Sequence, residues 1–420
     1  MSTSPVPVSV RLTDLAEPVF SPDVQAIFEM MAPMVDGLLL DSGQLHTMAT
    51  EQTGLVDFGP RDYTERLDIL LTGMNEVSDL SPAGLLGLHS QLLQMLKNRL
   101  LLVDLLARNP EIAELELVPP VVIAGLPRTG TTHLHNLLSA GPTFRSLPYW
   151  ESVEPYPIAA EIGDIEPRRE RTRQATWFAN EAMPYFIRMH EMTTDHVHEE
   201  IQLLANDFST MFFETIAEVP AWRDHYLAAD QTPHYAHLRV QLKALLFINQ
   251  QHQRGGRRWL LKSPQHLEQL PVLADVFPCA SVVLTHRDPV SVVVSMATMA
   301  IYTARMSRTK VPVEQIANYW ADRIETMLGA LLRDRGVLGP DTSIDVRFED
   351  LIADDIAVAR QVYELAGVPV TTEAEAALKG YLEGHQRDRN GRIDYRAEDI
   401  GLDVEELRAR FAAYTARFLA

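Results

Sequence analysis

The stretch Gly125-Leu126-Pro127-Arg128-Thr129-Gly130-Thr131-Thr132 follows the apolar run Pro120-Val121-Val122-Ile123-Ala124. A short β-branched run reads as a buried strand, and the segment after the glycines, Thr131 to Ala140, has helical spacing and stops at Gly141-Pro142. Strand, glycine-bounded turn and helix in that order form the context of a phosphate-binding loop. The spacing from Gly125 to Gly130 and the hydroxyl at Thr132 match the nucleoside triphosphatase pattern G-x-x-x-x-G-K-[ST], but the lysine position holds Thr131 and the basic residue sits inside the loop, at Arg128. Glycines at 125 and 130 let the backbone turn its N–H groups inward, and the helix beginning near Thr131 adds its positive end. Thr129, Thr131 and Thr132 offer hydroxyl donors, and Arg128 a charged fork of donors.

Strand and helix patterns alternate again further on. Arg257–Ser263, Ala280–Arg287 and Ser343–Leu351 read as strands. Pro264–Phe277, Asp288–Met306 and Ala353–Gly367 read as helices, the second opening with Asp288 and Pro289. Such alternation predicts the α/β class, a P-loop-type parallel sheet flanked by helices. Residues 1–117 read as a helical N-terminal extension, with Ser21-Pro22 and Ser81-Pro82 as helix starts and Asn109-Pro110 as a stop. Residues 118–420 form the α/β part, with a helical, substrate-binding insertion over about 150–255. That insertion carries Trp177, Phe178, Tyr185, Phe186, Phe212 and Phe213, which suit either an apolar acceptor or a core. The helical extension is expected to cap the molecule or to form a homodimer surface.

Composition narrows the function. With 37 basic and 57 acidic residues the formal charge is −20, which argues against nucleic acid as a partner. An anionic ligand must then be held by a few local cations. One cysteine, Cys279, excludes a disulfide framework or a cysteine metal cluster. No apolar run approaches the roughly 18 residues of a membrane span. The opening Met1-Ser2-Thr3-Ser4-Pro5 lacks the features of a signal peptide, so a cytoplasmic location is expected.

A second anion signal follows the strand Ala280–Arg287. Arg287 stands at its carboxyl end, where doubly wound sheets bind ligands, and Ser295 lies eight residues on, in the next helix. The position where a magnesium-binding aspartate would be expected holds His286-Arg287 instead. Both features count against an altered P-loop kinase, the alternative enzyme reading; a nucleotide-binding protein without catalysis is the other alternative.

With these two motifs the chain resembles the sulfotransferases that use 3′-phosphoadenosine 5′-phosphosulfate. Pro127-Arg128-Thr129-Gly130-Thr131-Thr132 is similar to their loop for the 5′-phosphosulfate, and Arg287 with Ser295 to their Arg-x7-Ser pair for the 3′-phosphate. The arginine in the loop looks closer to the tyrosylprotein and bacterial branches than to the animal cytosolic branch. Val346–Asp355 resembles the Tyr-Glu-Asp-Leu segment with Phe348 in place of tyrosine, and Gly391–Asp403 the bacterial end, whose basic loop covers the nucleotide; Arg389 and Arg392 are its candidates here. The resemblance spans roughly residues 118–403. It implies metal-independent, in-line transfer of a sulfuryl group to a hydroxyl or amine of a small or lipid-like acceptor, with 3′-phosphoadenosine 5′-phosphate as product. It also implies a cation near the transferring group, for which Lys262 is the candidate beside Arg128. For the base, the tyrosylprotein-type branch points to Glu151, 23 residues after Arg128, where Tyr149 and Trp150 would desolvate it. The Lys-x-His pattern of cytosolic members fails at Pro264, leaving His266 as the second candidate. His196, His198, Glu199 and Glu200 lack metal-ligand spacing and are expected to form a solvated helix start or an acceptor-pocket wall; no metal is expected.

Overall fold

Five strands form the central sheet of the computed structural model, which describes residues 9–77, 79–251 and 258–420. The first strand, β1 (Ser9–Val10), lies outside that sheet. Four helices follow: α1 (Pro22–Met31), α2 (Ser42–Thr53), α3 (Tyr63–Asn75) and α4 (Pro82–Arg108). The seryl oxygens of Ser21 and Ser81 accept from the N–H groups of Val24 and Gly84, capping α1 and α4 as their Ser-Pro starts require. Then come β2 (Val121–Gly125), α5 (Thr131–Ser139), β3 (Phe144–Arg145) and β4 (Leu147–Pro148). The insertion holds α6 (Tyr149–Val153), α7 (Glu166–Ala182), β5 (Val197–His198), α8 (Ile201–Ala205), α9 (Phe212–Ile216), α10 (Pro220–Ala228) and α11 (Thr232–Gln251). The chain returns through β6 (Arg258–Lys262), α12 (Leu270–Val276), β7 (Ser281–His286), α13 (Pro289–Ala304), α14 (Val313–Asp334) and β8 (Ser343–Arg347). It ends with α15 (Phe348–Ala353), α16 (Asp355–Leu365), α17 (Thr372–Gly384), β9 (Arg392–Ile393) and two short helices, Val404–Arg410 and Ala412–Phe418.

The sheet order is β3-β6-β2-β7-β8, parallel throughout, with β2 in the middle. Every residue of β2 and β7 is buried, because helices cover both faces. The pleat sorts them. Val121, Ile123, Leu260 and Val283 pack with Leu134 and Leu137 of α5 and Val358 and Val362 of α16. Val122, Ala124, Leu261 and Leu284 face the opposite way, towards Leu242 of α11, Leu273 of α12, Val293 of α13 and Ile324 of α14. A further core joins α2, α3 and α4 to Phe208, Phe213, Trp222 and Tyr226 of the insertion. Arg66 and Arg99 cross it to reach Asp207, which His234 also contacts.

Three predicted boundaries move. The run Leu115–Gly125, which reads as one strand from its apolar sequence, is a strand only from Val121, since Pro119 and Pro120 cannot donate to a ladder. Pro264–Phe277 is two pieces, a 3-10 turn over Pro264–Glu268 and then α12. Pro271 has no N–H for the carbonyl four residues back, so one helix cannot run through. The strand at Ser343 stops at Arg347, and Phe348 already opens α15. The residues predicted to lack a leader, Met1–Pro5, and the end of the insertion at Gly255 lie outside the described residues. Among the described residues, no helix is long and apolar enough to cross a membrane.

The crossing of β2 and β7 fixes the geometry around the glycine turn. A Cβ at Gly125 would lie 1.9 Å from Thr285 Oγ1 and 2.9 Å from Thr131 Cγ2. Gly125→Ala is therefore expected to destabilise the chain by about 1–3 kcal/mol through overpacking. Gly380→Ala in α17, where a Cβ meets nothing within 4 Å, is expected to leave the unfolding midpoint unchanged or raise it. Urea denaturation of the two variants beside the parent checks the contrast.

Candidate active site

The turn after β2 is built to present backbone N–H groups. Gly130 caps α5 with φ 91° and ψ 0°, a left-handed conformation that glycine adopts without cost. Arg128 is also left-handed, at φ 70°, where a side chain is strained. The Thr129 hydroxyl donates to the Leu126 carbonyl at 2.6 Å and shares a hydrogen bond of the same length with the Thr285 hydroxyl. It is fully buried and committed to the turn, so of the three loop hydroxyls only those of Thr131 and Thr132 border the adjoining cavity. Pro127 likewise shapes the turn and is not in that lining.

That cavity measures about 910 Å³ and has six arginines in its walls: Arg128, Arg188, Arg287, Arg387, Arg392 and Arg396. In a chain of charge −20 this is a strong local inversion. Arg128 Nε donates to Ser295 Oγ at 3.0 Å, its Nη1 reaches the Met189 carbonyl, and Arg287 Nη1 donates to the Arg128 carbonyl at 2.7 Å. Arg128, Arg287 and Ser295 thus converge, and Arg128 stands with the second anion signal rather than at the start of α5. Burial, and after it the nearby Arg128 charge, lowers the pKa of Arg287, a sign of a site that favours an added anion. No carboxylate forms an ion pair with Arg128 or Arg287 among the described residues. The Arg287 guanidinium lies 4.2 Å from the centroid of Phe348, and Phe348 also packs against Gly130.

A strap from His385 to Ile393 crosses this cavity. Arg392 lines it while paired with Asp388 at 2.5 Å. Arg389 faces a neighbouring cavity of about 620 Å³ and pairs with Glu191 across it. The two cavities share Thr132, His133, Arg188, Arg387, Asp388 and Gly391. Arg188, Arg387, Arg396 and Tyr395 were not singled out from the sequence; the crowding of arginines between Arg387 and Arg396 was the available signal.

At the carboxyl end of β6, Lys262 is buried, and its Nζ lies 3.4 Å from Thr132 Oγ1 and pairs with Glu199. Glu199 arrives through the two-residue antiparallel pairing of β4 with β5, which sets Leu147 against His198. Lys262 is thus where the sequence predicted, but the two expected bases are elsewhere. Glu151 is buried, paired with Arg145 and accepting from Asn249 Nδ2 at 3.0 Å. His266 is fully buried, with Nδ1 on the Tyr235 hydroxyl at 2.8 Å and Nε2 on Glu200. Neither lines these two cavities, nor do Lys262 and Glu199, and each side-chain polar atom of Glu151 and His266 has a partner within the core. The carboxylate beside Lys262 is Glu199, from the cluster expected to be a pocket wall.

Three histidines crowd this corner. His196 and His198 hydrogen-bond each other at 3.0 Å, and Tyr149 stacks on His196 with centroids 5.0 Å apart. Burial pushes His196 down to about 4 and His190 down to about 3, the Lys262 charge adding to both. Both rings are neutral at pH 7. Among the described residues, no group of three or more His, Cys, Asp or Glu side chains is placed to hold a metal ion.

Comparison with known proteins agrees with this geometry. The model of the sulfotransferase family matches residues 119–372. The omega-hydroxy-beta-dihydromenaquinone-9 sulfotransferases Stf3 of Mycobacterium bovis and Mycobacterium tuberculosis are each 24% identical over 307 residues, covering 69% of this chain and 71% of theirs. The crystal structure of sulfotransferase STF1 from Mycobacterium tuberculosis matches with a TM-score of 0.75 at 29% identity, covering 89% of this chain and 98% of that one. That of STF9 from Mycobacterium avium shares the fold, with a TM-score of 0.79 at 24% identity over 90% and 97% of the two chains. An anion-binding turn on the central strand, a second cationic site at the next strand and a family match over more than half the chain lead to one conclusion: this protein belongs to the sulfotransferase family and is an enzyme of sulfuryl transfer.

Proposed function

We propose that the sulfuryl donor is 3′-phosphoadenosine 5′-phosphosulfate and that the acceptor is a hydroxyl on a small or lipid-like, largely apolar molecule. The observation that carries the donor is the presence of two separate anion sites in one cavity of about 910 Å³. One is the N-terminus of α5 with Thr131 and Thr132; the other is Arg128, Arg287 and Ser295. A nucleotide with phosphates at both ends of its ribose fits that separation of sites. Magnesium–triphosphate fits less well, because β7 runs into His286 and Arg287 where a metal-binding carboxylate would stand. Phe348, flanked by Arg287, offers a face but no hydroxyl to the base. For the acceptor, the Stf3 relatives act on an omega-hydroxylated menaquinone by name, and the aromatic and methionine content of the insertion suits an apolar body.

When bound, the donor supplies a sulfuryl group whose bond to the phosphate oxygen breaks as a bond to the acceptor oxygen forms. The N–H groups opening α5 and the Thr132 hydroxyl hold the phosphate next to the sulfur. Lys262 Nζ, beside Thr132, neutralises the charge that collects on the phosphate oxygen left behind. Glu199, paired with Lys262, takes the proton of the acceptor hydroxyl. His196, neutral at pH 7, lines the neighbouring cavity without adding charge.

Adenosine 3′,5′-bisphosphate at a hundred times its dissociation constant is expected to stabilise the protein by about 2.7 kcal/mol. A thermal shift with ATP and magnesium but none with the bisphosphate overturns the donor assignment. Arg287→Ala is expected to weaken bisphosphate binding by about 1.5–3 kcal/mol, the range of a hydrogen bond to a charged group, as read by calorimetry. Glu199→Gln is expected to lower kcat by about 10²–10⁴-fold with bisphosphate affinity kept. Glu151→Gln, which breaks a buried pair, should instead lower the unfolding midpoint; a turnover loss confined to Glu151→Gln would reverse the two roles. Stability also carries a pH signature. An unfolded histidine binds its proton near the ordinary value of 6.5, the folded His196 only near 4, so the unfolded chain protonates first. Stability is complete above 6.5 and drains away as pH falls towards 4; His196→Gln is expected to flatten that limb of the midpoint-against-pH curve.

A further inference from the structure

A third cavity, of about 570 Å³, lies apart from the donor site, between α1, α4, α7, α9, α13 and α14. We propose that it is a binding site for an uncharged hydrocarbon chain, and that this chain is the apolar portion of the acceptor. The proposal rests on the sulfotransferase reading for its second half only.

The walls are made by small and apolar side chains. Gly87 on α4, Ala179 on α7 and Ala300 on α13 give the cavity width, and Phe178, Met183 and Trp320 give it apolar surface. Gly87 lies inside a 27-residue helix, where glycine costs about 1 kcal/mol relative to alanine. Close packing does not explain it: a Cβ there would meet nothing within 4 Å. Gly84, one turn earlier, does have a packing reason, since its Cβ would lie 2.3 Å from the Ser307 carbonyl oxygen. The volume falls within the roughly 300–1,000 Å³ of small-ligand pockets.

Charge states the chemistry of the occupant. The ionic groups in the walls are already matched: Glu214 with Arg323 and the Tyr319 hydroxyl, and Glu218 with Arg308 and Gln315. No charge is left over to select a charged ligand, so the site suits methylene or isoprenoid carbon rather than a carboxylate or phosphate head.

Two elements run from this cavity to the donor site, at its Arg128–Ser295 end. The helix α13 carries Ser295 in the donor cavity and Ala300 in this one, about 7.5 Å apart along the axis at 1.5 Å per residue. Met183 lines this cavity, and six residues later the Met189 carbonyl accepts from Arg128. Met30 and Trp177, next in sequence to the lining residues Met31 and Phe178, are 64% and 56% exposed.

The test uses the full chain and two cavity-filling variants, Gly87→Leu and Ala300→Phe. The neutral fluorophore diphenylhexatriene is the probe and dodecan-1-ol the competitor. The parent is expected to bind the probe and release it to dodecan-1-ol but not to butan-1-ol. Both variants should weaken probe binding at least about tenfold, the effect of denying space to a few buried carbons, and lower kcat/KM for dodecan-1-ol by a similar factor relative to butan-1-ol. Retained bisphosphate binding shows that a variant has folded; Gly87→Leu also removes a helix glycine and Ala300→Phe does not, so agreement between them assigns the effect to volume. Unchanged probe binding in both folded variants overturns the site. Weakened probe binding with unaltered chain-length selectivity overturns the acceptor assignment, the cavity then holding a separate lipid. Absence of transfer to every alcohol with probe binding intact marks a failure of the sulfotransferase reading instead.

Discussion

The close approach of β2 to β7 at Gly125 and Thr285 is the constraint on which the rest of the site depends. Parallel pairing sets these two residues side by side, and the Thr285 hydroxyl occupies the space where a Cβ at 125 would be. The same hydroxyl binds that of Thr129, so the turn is anchored to the neighbouring strand as well as to its own. The anchorage fixes where α5 begins, and with it the direction of its free N–H groups. Because Arg287 lies two residues past Thr285, immediately after the end of β7, the contact also sets the spacing between the two anion sites. Both follow from one strand pair, which makes their separation a property of the sheet and not of the loops.

Electrostatics then divides the molecule. Against a surplus of 20 negative charges, one cavity is walled by six arginines, and two of them, Arg128 and Arg287, have no carboxylate partner among the described residues. Lys262 is paired with Glu199. Arg128 rests on Ser295 and a carbonyl, partners that an incoming phosphate would outmatch. Preorganised donors of this sort need little rearrangement when charge develops.

Much of this was legible in the sequence because the informative residues are local. Gly125 to Thr132 is one continuous turn, and Arg287 and Ser295 sit either side of a helix start. The sheet followed from apolar runs that alternate with helical patterns. The proposed base did not follow, because its placement depends on tertiary pairing. Glu151 is near the turn in sequence, yet α6 directs it to Arg145 and Asn249; Glu199 is distant, yet β5 lays it beside Lys262. His266 follows Lys262 closely, but the 3-10 turn at Pro264 buries it against Tyr235. Arg387 and Arg396 were not singled out, because only the folded strap and the segment after it bring them to the cavity wall.

That strap has a second attachment. Ser9 and Val10 pair in parallel with Arg392 and Ile393, and Arg11 binds Asp399 just beyond. The earliest described residues are therefore stitched to the segment that roofs the donor cavity, almost four hundred positions away in the chain. Tension or steric bulk applied at that end is transmitted to the roof through two residues of ladder. In mechanical terms the amino-terminal segment is a tether on the strap: the two move together, or the ladder between them breaks.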